Sequence, residues 1–179
     1  MLLGNLGIPS MREALQYLRQ MCETGVIGDY AIGGAMAATF YIEPIATFDL
    51  DVFVVLPQKA EGLLLSLTPL YNHLRAAGFT EDKECVIING IPVQFLPAYN
   101  PLVEEALENA VEMDYDGIKA PVFSAEHLVA IALQTGRGKD YARVQSFIET
   151  GVLNHEKLTG VLKRHGLEAK WKNLATNQP

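Results

Sequence analysis

The run Phe48-Asp49-Leu50-Asp51-Val52-Phe53-Val54-Val55-Leu56 places two carboxylates inside the strongest strand signal of the chain. A β-strand turns alternate side chains to opposite faces, so Asp49 and Asp51 share one face while Leu50, Val52 and Val54 take the other. Two like charges on one face of a buried strand repel each other and lose hydration. Such a pair persists only where positive charge compensates it. A divalent cation held by hard carboxylate oxygens, Mg²⁺ or Mn²⁺, is the simplest compensation.

The segments around this strand read as an α/β body. Ser10-Met11-Arg12-Glu13 has the form of a capping box, and Met11, Ala14, Leu15, Leu18 and Met21 come after it at helical spacing until Gly25. A short strand, Tyr30-Ala31-Ile32, runs into Gly33-Gly34 and a small-residue helix over 35–40. The acidic strand spans 47–56 and Pro57 ends it. A helix is predicted over 60–77. Strands over 85–88 and 91–96 flank Asn89-Gly90, a hairpin signal because both turn positions require positive φ. A helix over 101–111 opens on proline, where the missing amide costs nothing, and 119–122 reads as an edge strand. From Ser124 onward the pattern is helical: 124–135, 139–149 and 155–165, punctuated by glycines. This divides the chain into an α/β core, 1–122, and a C-terminal helical subdomain, 123–179, packed on it.

Gly33-Gly34 between a strand and a helix lets a phosphate approach backbone amides. It serves equally as a tight strand–helix turn, and it is neither GxGxxG nor a P-loop. The acidic strand about fifteen residues downstream gives it meaning. Strand, Gly-Gly, helix and then Thr47-x-Asp49-x-Asp51 on the next strand resembles the minimal nucleotidyltransferase superfamily. The stretch from Tyr30-Ala-Ile-Gly-Gly-Ala through Glu43-Pro44-Ile-Ala-Thr47-Phe-Asp-Leu-Asp51, with Arg137-Gly138-Lys139-Asp140 in the tail, is similar to the abortive-infection type of bacterial nucleotidyltransferase toxins.

That resemblance implies a mixed sheet flanked by helices, with a helical tail. It implies that Asp49 and Asp51 hold Mg²⁺ on the triphosphate of an NTP while an acceptor hydroxyl attacks. Gly33 and Gly34 would hold phosphates through their amides. Thr47 would orient Asp49 or touch phosphate, or simply start the strand. Arg137 and Lys139 would clamp phosphate or acceptor, or else solvate a helix end that Asp140 caps. The acceptor is an RNA end, a protein side chain or a small molecule, and an antitoxin-like protein partner is implied.

Two positions depart from the family pattern. Gln94 stands where a third carboxylate is usual and offers a metal only a neutral carbonyl oxygen, with Glu84, Asp114 and Asp116 as possible substitutes. Ile45 stands where relatives often carry arginine. The alternative is therefore a catalytically impaired nucleotidyltransferase fold that binds nucleotide or a partner. A third reading is an interaction protein that binds no nucleotide.

Bulk properties exclude other classes. A chain of 179 residues is long enough for one real core. A net charge of −7 argues against a broad nucleic-acid footprint. The charge is uneven: from Arg137 onward eight basic residues face four acidic ones, and before it six face seventeen. Such a basic tail fits a polyanion beside metal-binding carboxylates, or an ordinary solvated helix face. No apolar stretch suits a bilayer, and the N-terminus does not read as a secretory signal. Cys22 and Cys85, far apart and without CxxC spacing, read as reduced thiols of a cytoplasmic protein. His73, His127, His155 and His165 show no ligand spacing.

Overall fold

In the computed structural model, which describes residues 9–44, 47, 49–56 and 66–176, the chain order is α1 (Met11–Glu23), β1 (Tyr30–Ile32), α2 (Gly34–Ala38), β2 (Leu50–Val54), α3 (Thr68–Ala76), β3 (Thr80–Asp82), β4 (Cys85–Ile88), β5 (Ile91–Pro97), α4 (Pro101–Glu108), β6 (Val111–Tyr115), β7 (Ile118–Val122), α5 (Ala125–Thr135), α6 (Gly138–Thr150), α7 (His155–Arg164) and α8 (Glu168–Thr176). The seven strands form one mixed sheet in the order β3-β4-β5-β2-β1-β7-β6. The acidic strand β2 sits at its middle, parallel to β5 and antiparallel to β1. Parallel pairing sets Asp51 beside Gln94.

Core and tail share one buried cluster. Leu15 and Leu18 of α1, Val52 and Val54 of β2, Leu102 of α4, Val129 and Leu133 of α5, and Phe147 of α6 all belong to it. The apolar stripe of α1 is buried as its spacing requires, and the Ser10 hydroxyl accepts a hydrogen bond from the Glu13 amide at 3.2 Å. Only that half of the capping box forms. Among the described residues no helix is long and apolar enough to cross a membrane.

Several elements depart from the periodicity. The helix predicted over 101–111 ends at Glu108, and Val111–Tyr115 instead forms β6. The 119–122 strand is consequently not an edge, since β6 covers it. Exposure of β6 explains the miss: Val111 and Tyr115 are solvent-facing, so no buried alternation marks the strand. The three residues of β3 are likewise exposed, and α8 extends the tail beyond the last predicted helix. The helix predicted over 60–77 is shorter than its pattern: α3 begins at Thr68, where Pro69 fits the first turn, and Ser66 and Leu67 before it are not helical. Positions 60–65, Pro57, Phe48 and Ile45 lie outside the described residues.

Glu105 of α4 knots the tail to the body. Its carboxylate accepts from Arg164 Nη2 at 2.6 Å and Nε at 3.1 Å, and it pairs with His165 Nε2 at 2.7 Å and His127 Nε2 at 3.2 Å. The Arg164 hydrogen bonds, opposed by burial and aided by both histidines, hold the Glu105 carboxyl down at about 2. A depressed carboxyl stabilises the fold above its ordinary value of 4.5 and loses that contribution as pH falls toward 2. Glu105→Gln is expected to lower stability by about 1–2 kcal/mol at neutral pH, allowing for solvent screening. Urea unfolding as a function of pH should show that deficit shrinking between pH 4.5 and about 2.

Candidate active site

Asp49 and Asp51 both line a cavity of about 350 Å³ at the end of the central strands. Its floor is the β1–α2 turn and β2. One wall is apolar, with Phe53, Phe123, Leu128 and Ile131, and the other carries Arg137, Lys139 and Arg143. The Phe53 and Phe123 rings stack obliquely with centroids 4.8 Å apart, which stiffens the apolar wall.

The glycine pair is demanded by this geometry. Gly34 has φ +63°, and a Cβ there would fall on the Asp51 carboxylate; a Cβ on Gly33 would fall on the Phe53 ring. Glycine alone lets the turn pass this close to β2. A serine side chain at position 34 would have no room beside Asp51 in this rotamer. The two amides are also unequal. Gly33 N–H donates to the Asp51 carbonyl at 2.9 Å, so the sheet uses it. Gly34, as the first residue of α2, has an amide that the helix itself leaves without an acceptor.

Thr47 and Asp49 precede β2 rather than lying within it. The Thr47 hydroxyl donates to Asp49 Oδ1 at 3.1 Å, which orients the more exposed carboxylate. Asp51 is mostly buried, and no hydrogen bond or ion pair reaches its side chain among the described residues. A carboxylate pair without an ion pair, open to a cavity, is a donor set that suits a hard divalent cation. Among the described residues no group of three or more acidic, histidine or cysteine side chains gathers as a metal cluster.

Gln94 lines the same cavity beside Asp51, and its Nε2 donates to Glu84 Oε2 at 3.1 Å. Of the three substitutes for a third carboxylate, Glu84 is thus the one that adjoins Gln94. Asp114 instead accepts the Gly117 amide at 3.0 Å in the β6–β7 turn, where Asp116 also lies.

The tail delivers three cations. Arg137 N–H and Nε donate to Asp140 Oδ2 at 3.3 and 2.7 Å, so Asp140 caps the start of α6 and fixes Arg137. Burial pushes the Asp140 carboxyl up, but the Arg137 hydrogen bonds and charge outweigh it and hold the group below its usual range. Lys139 lines the cavity with no ion pair among the described residues. Arg143, one helical turn after Lys139, is a cavity residue that the motif reading missed. The i, i+4 spacing of Lys139 and Arg143 on a helix was the available signal. Three of the four histidines have structural partners: His127 and His165 on Glu105, and His73 Nε2 on the Tyr17 hydroxyl at 3.2 Å. Both cysteines are free and half-buried.

No protein-family model and no curated protein sequence matches the chain. Its architecture does match solved structures. A nucleotidyltransferase-like antigenic protein from Paracoccidioides brasiliensis superposes with a TM-score of 0.57 at 18% identity, covering 91% of this chain and 94% of that one. The antibiotic-resistance factor ANT(2'')-Ia superposes in its solution structure with a TM-score of 0.52 at 13% identity, covering 94% and 97%. Its crystal structure with adenylyl-2''-tobramycin gives 0.52 at 13%, covering 90% and 99%. The chain therefore has a nucleotidyltransferase fold.

Burial first, and then the neighbouring Asp49, raise the Asp51 carboxyl to about 6, against the opposing charges of Arg143, Lys139 and Arg137. The folded state then binds the proton more tightly than the unfolded chain. Stability falls as pH rises from about 4 to about 6, and it stays low above that range. Without divalent cations, Asp51→Asn should exceed wild type in stability by about 1–3 kcal/mol at pH 7.5. Denaturant unfolding should show the gap closing below pH 4.

Proposed function

We propose that the chain is a divalent-cation-dependent nucleotidyltransferase that moves a nucleoside monophosphate from an NTP to an acceptor hydroxyl. One observation carries this reading: Asp49 and Asp51, with no ion pair to either among the described residues, line a cavity that also carries Arg137, Lys139 and Arg143. That juxtaposition suits a metal-bound polyanion and little else.

Asp49 and Asp51 would hold Mg²⁺ or Mn²⁺, which when bound neutralises phosphate charge and polarises the reacting phosphorus. Thr47 keeps the Asp49 carboxylate aimed at the cavity. The Gly34 amide meets a terminal phosphate oxygen, and Lys139 supplies a mobile positive charge. Arg137, pinned by Asp140, supplies a fixed one. In the transfer the acceptor oxygen bonds to the α-phosphorus and the bond to the bridging oxygen breaks. Pyrophosphate leaves, and the hydroxyl proton passes to a carboxylate or to water. The aminoglycoside adduct in the ANT(2'')-Ia structure favours a small-molecule acceptor over an RNA end or a protein side chain.

Gln94 supports a second reading, in which nucleotide binds and transfer is lost. Its amide is engaged by Glu84 and brings no negative charge to the reaction centre. Incubation with each α-labelled NTP, Mg²⁺ and cell extract should yield a labelled product that Asp49→Asn abolishes. Absence of label with every nucleotide would remove the enzymatic reading. Gln94→Asp separates the two: under the second reading it creates or raises transfer by about tenfold or more.

A further inference from the structure

Arg143 is the cavity residue that neither the motif nor the pairing network accounts for. It projects from α6, and its side chain is only 14% exposed. Its Nε–H is fully buried without an acceptor among the described residues. Its only ion pair among those residues is a long one, Nη1 to Asp140 Oδ1 at 3.8 Å. Asp140 does not require it, because Arg137 already supplies two guanidinium hydrogen bonds and a backbone amide to that carboxylate. A desolvated guanidinium with an orphaned donor is costly unless an anion completes it. Its neighbour Asp51 is not that anion, since no ion pair joins them. The side chain lines the cavity, and its guanidinium donates no hydrogen bond among the described residues.

We infer that Arg143 is the anion receptor of this cavity and that it binds the pyrophosphate portion of the nucleotide. The inference deepens the transferase reading and rests on it for the identity of the ligand. A planar guanidinium binds two phosphate oxygens side by side, which an ammonium group cannot do. Arg143 lines the same cavity as Asp49 and Asp51, the residues that would hold the metal.

The direct test is calorimetric binding of inorganic pyrophosphate without metal, in an Asp51→Asn background that removes carboxylate repulsion. Adding Arg143→Met should weaken binding by about tenfold or more, and Arg143→Lys should give an intermediate loss. Equal affinity with and without Arg143, or no binding by Asp51→Asn, would overturn the inference. A structural arginine is distinguished by the ligand-free melting temperature. In the Asp51→Asn background, where the Asp51 charge no longer needs it, Arg143→Met should leave that temperature unchanged or raise it, because an unsatisfied buried donor is gone, and a drop beyond about 5 °C would count against the assignment. The two proposals fail separately. Pyrophosphate binding that depends on Arg143 without any NMP transfer retains this inference and removes the transferase reading. Transfer with pyrophosphate binding indifferent to Arg143 does the reverse.

Discussion

Two carboxylates, Asp51 on the central strand and Asp49 just before it, share one cavity with no ion pair to either among the described residues, and they set the terms for the rest of this molecule. Asp51 cannot turn away, because β2 is paired on both sides and alternation fixes its direction. Hydration cannot fully relieve it, because the apolar wall and the tail close over the cavity. A protein seeking stability alone would place a hydrophobic residue or a bonded arginine there. Retention of an unpaired charge at the centre of a sheet marks a site whose complement arrives from outside.

The surroundings conform to that requirement. Gly33 and Gly34 bring the β1–α2 turn against β2 at a separation that no side chain permits. The tail is fastened in two places, at the Glu105 knot with Arg164, His165 and His127 and at the Asp140–Arg137 cap. Those fastenings place α6 so that Lys139 and Arg143 face the acidic floor. Cations thus reach the cavity without collapsing onto the carboxylates, which leaves space between the two signs of charge. The buried apolar cluster and the knot supply stability, and they bear the strain of the site.

Much of this was legible in the residues. The Asn89-Gly90 hairpin and the strand–Gly-Gly–helix order are local signals that appear where the patterning puts them, whereas of the two acids only Asp51 lies within the strand. The amphipathic helices α6 and α7 are equally direct, since their buried faces repeat at helical spacing, whereas α5 is buried on nearly every side. What escaped has a common cause. β6 and β3 are exposed, so no hydrophobic alternation announces them. The engagement of the Gly33 amide by the Asp51 carbonyl depends on strand pairing, which no local pattern encodes. Arg143 was invisible as a site residue because its significance lies in lacking a partner, and partners are a property of the folded state. Gln94 was visible as a departure, but its bond to Glu84 was not.

The most direct test of the central electrostatic claim is the electron paramagnetic resonance signal of free Mn²⁺ titrated with protein and an NTP at pH 7.5. Wild type is expected to remove Mn²⁺ from solution with saturable stoichiometry, whereas Asp49→Asn and Asp51→Asn should leave the free-ion signal as it is with nucleotide alone. Equal depletion by wild type and both variants, or none by wild type, would contradict the claim.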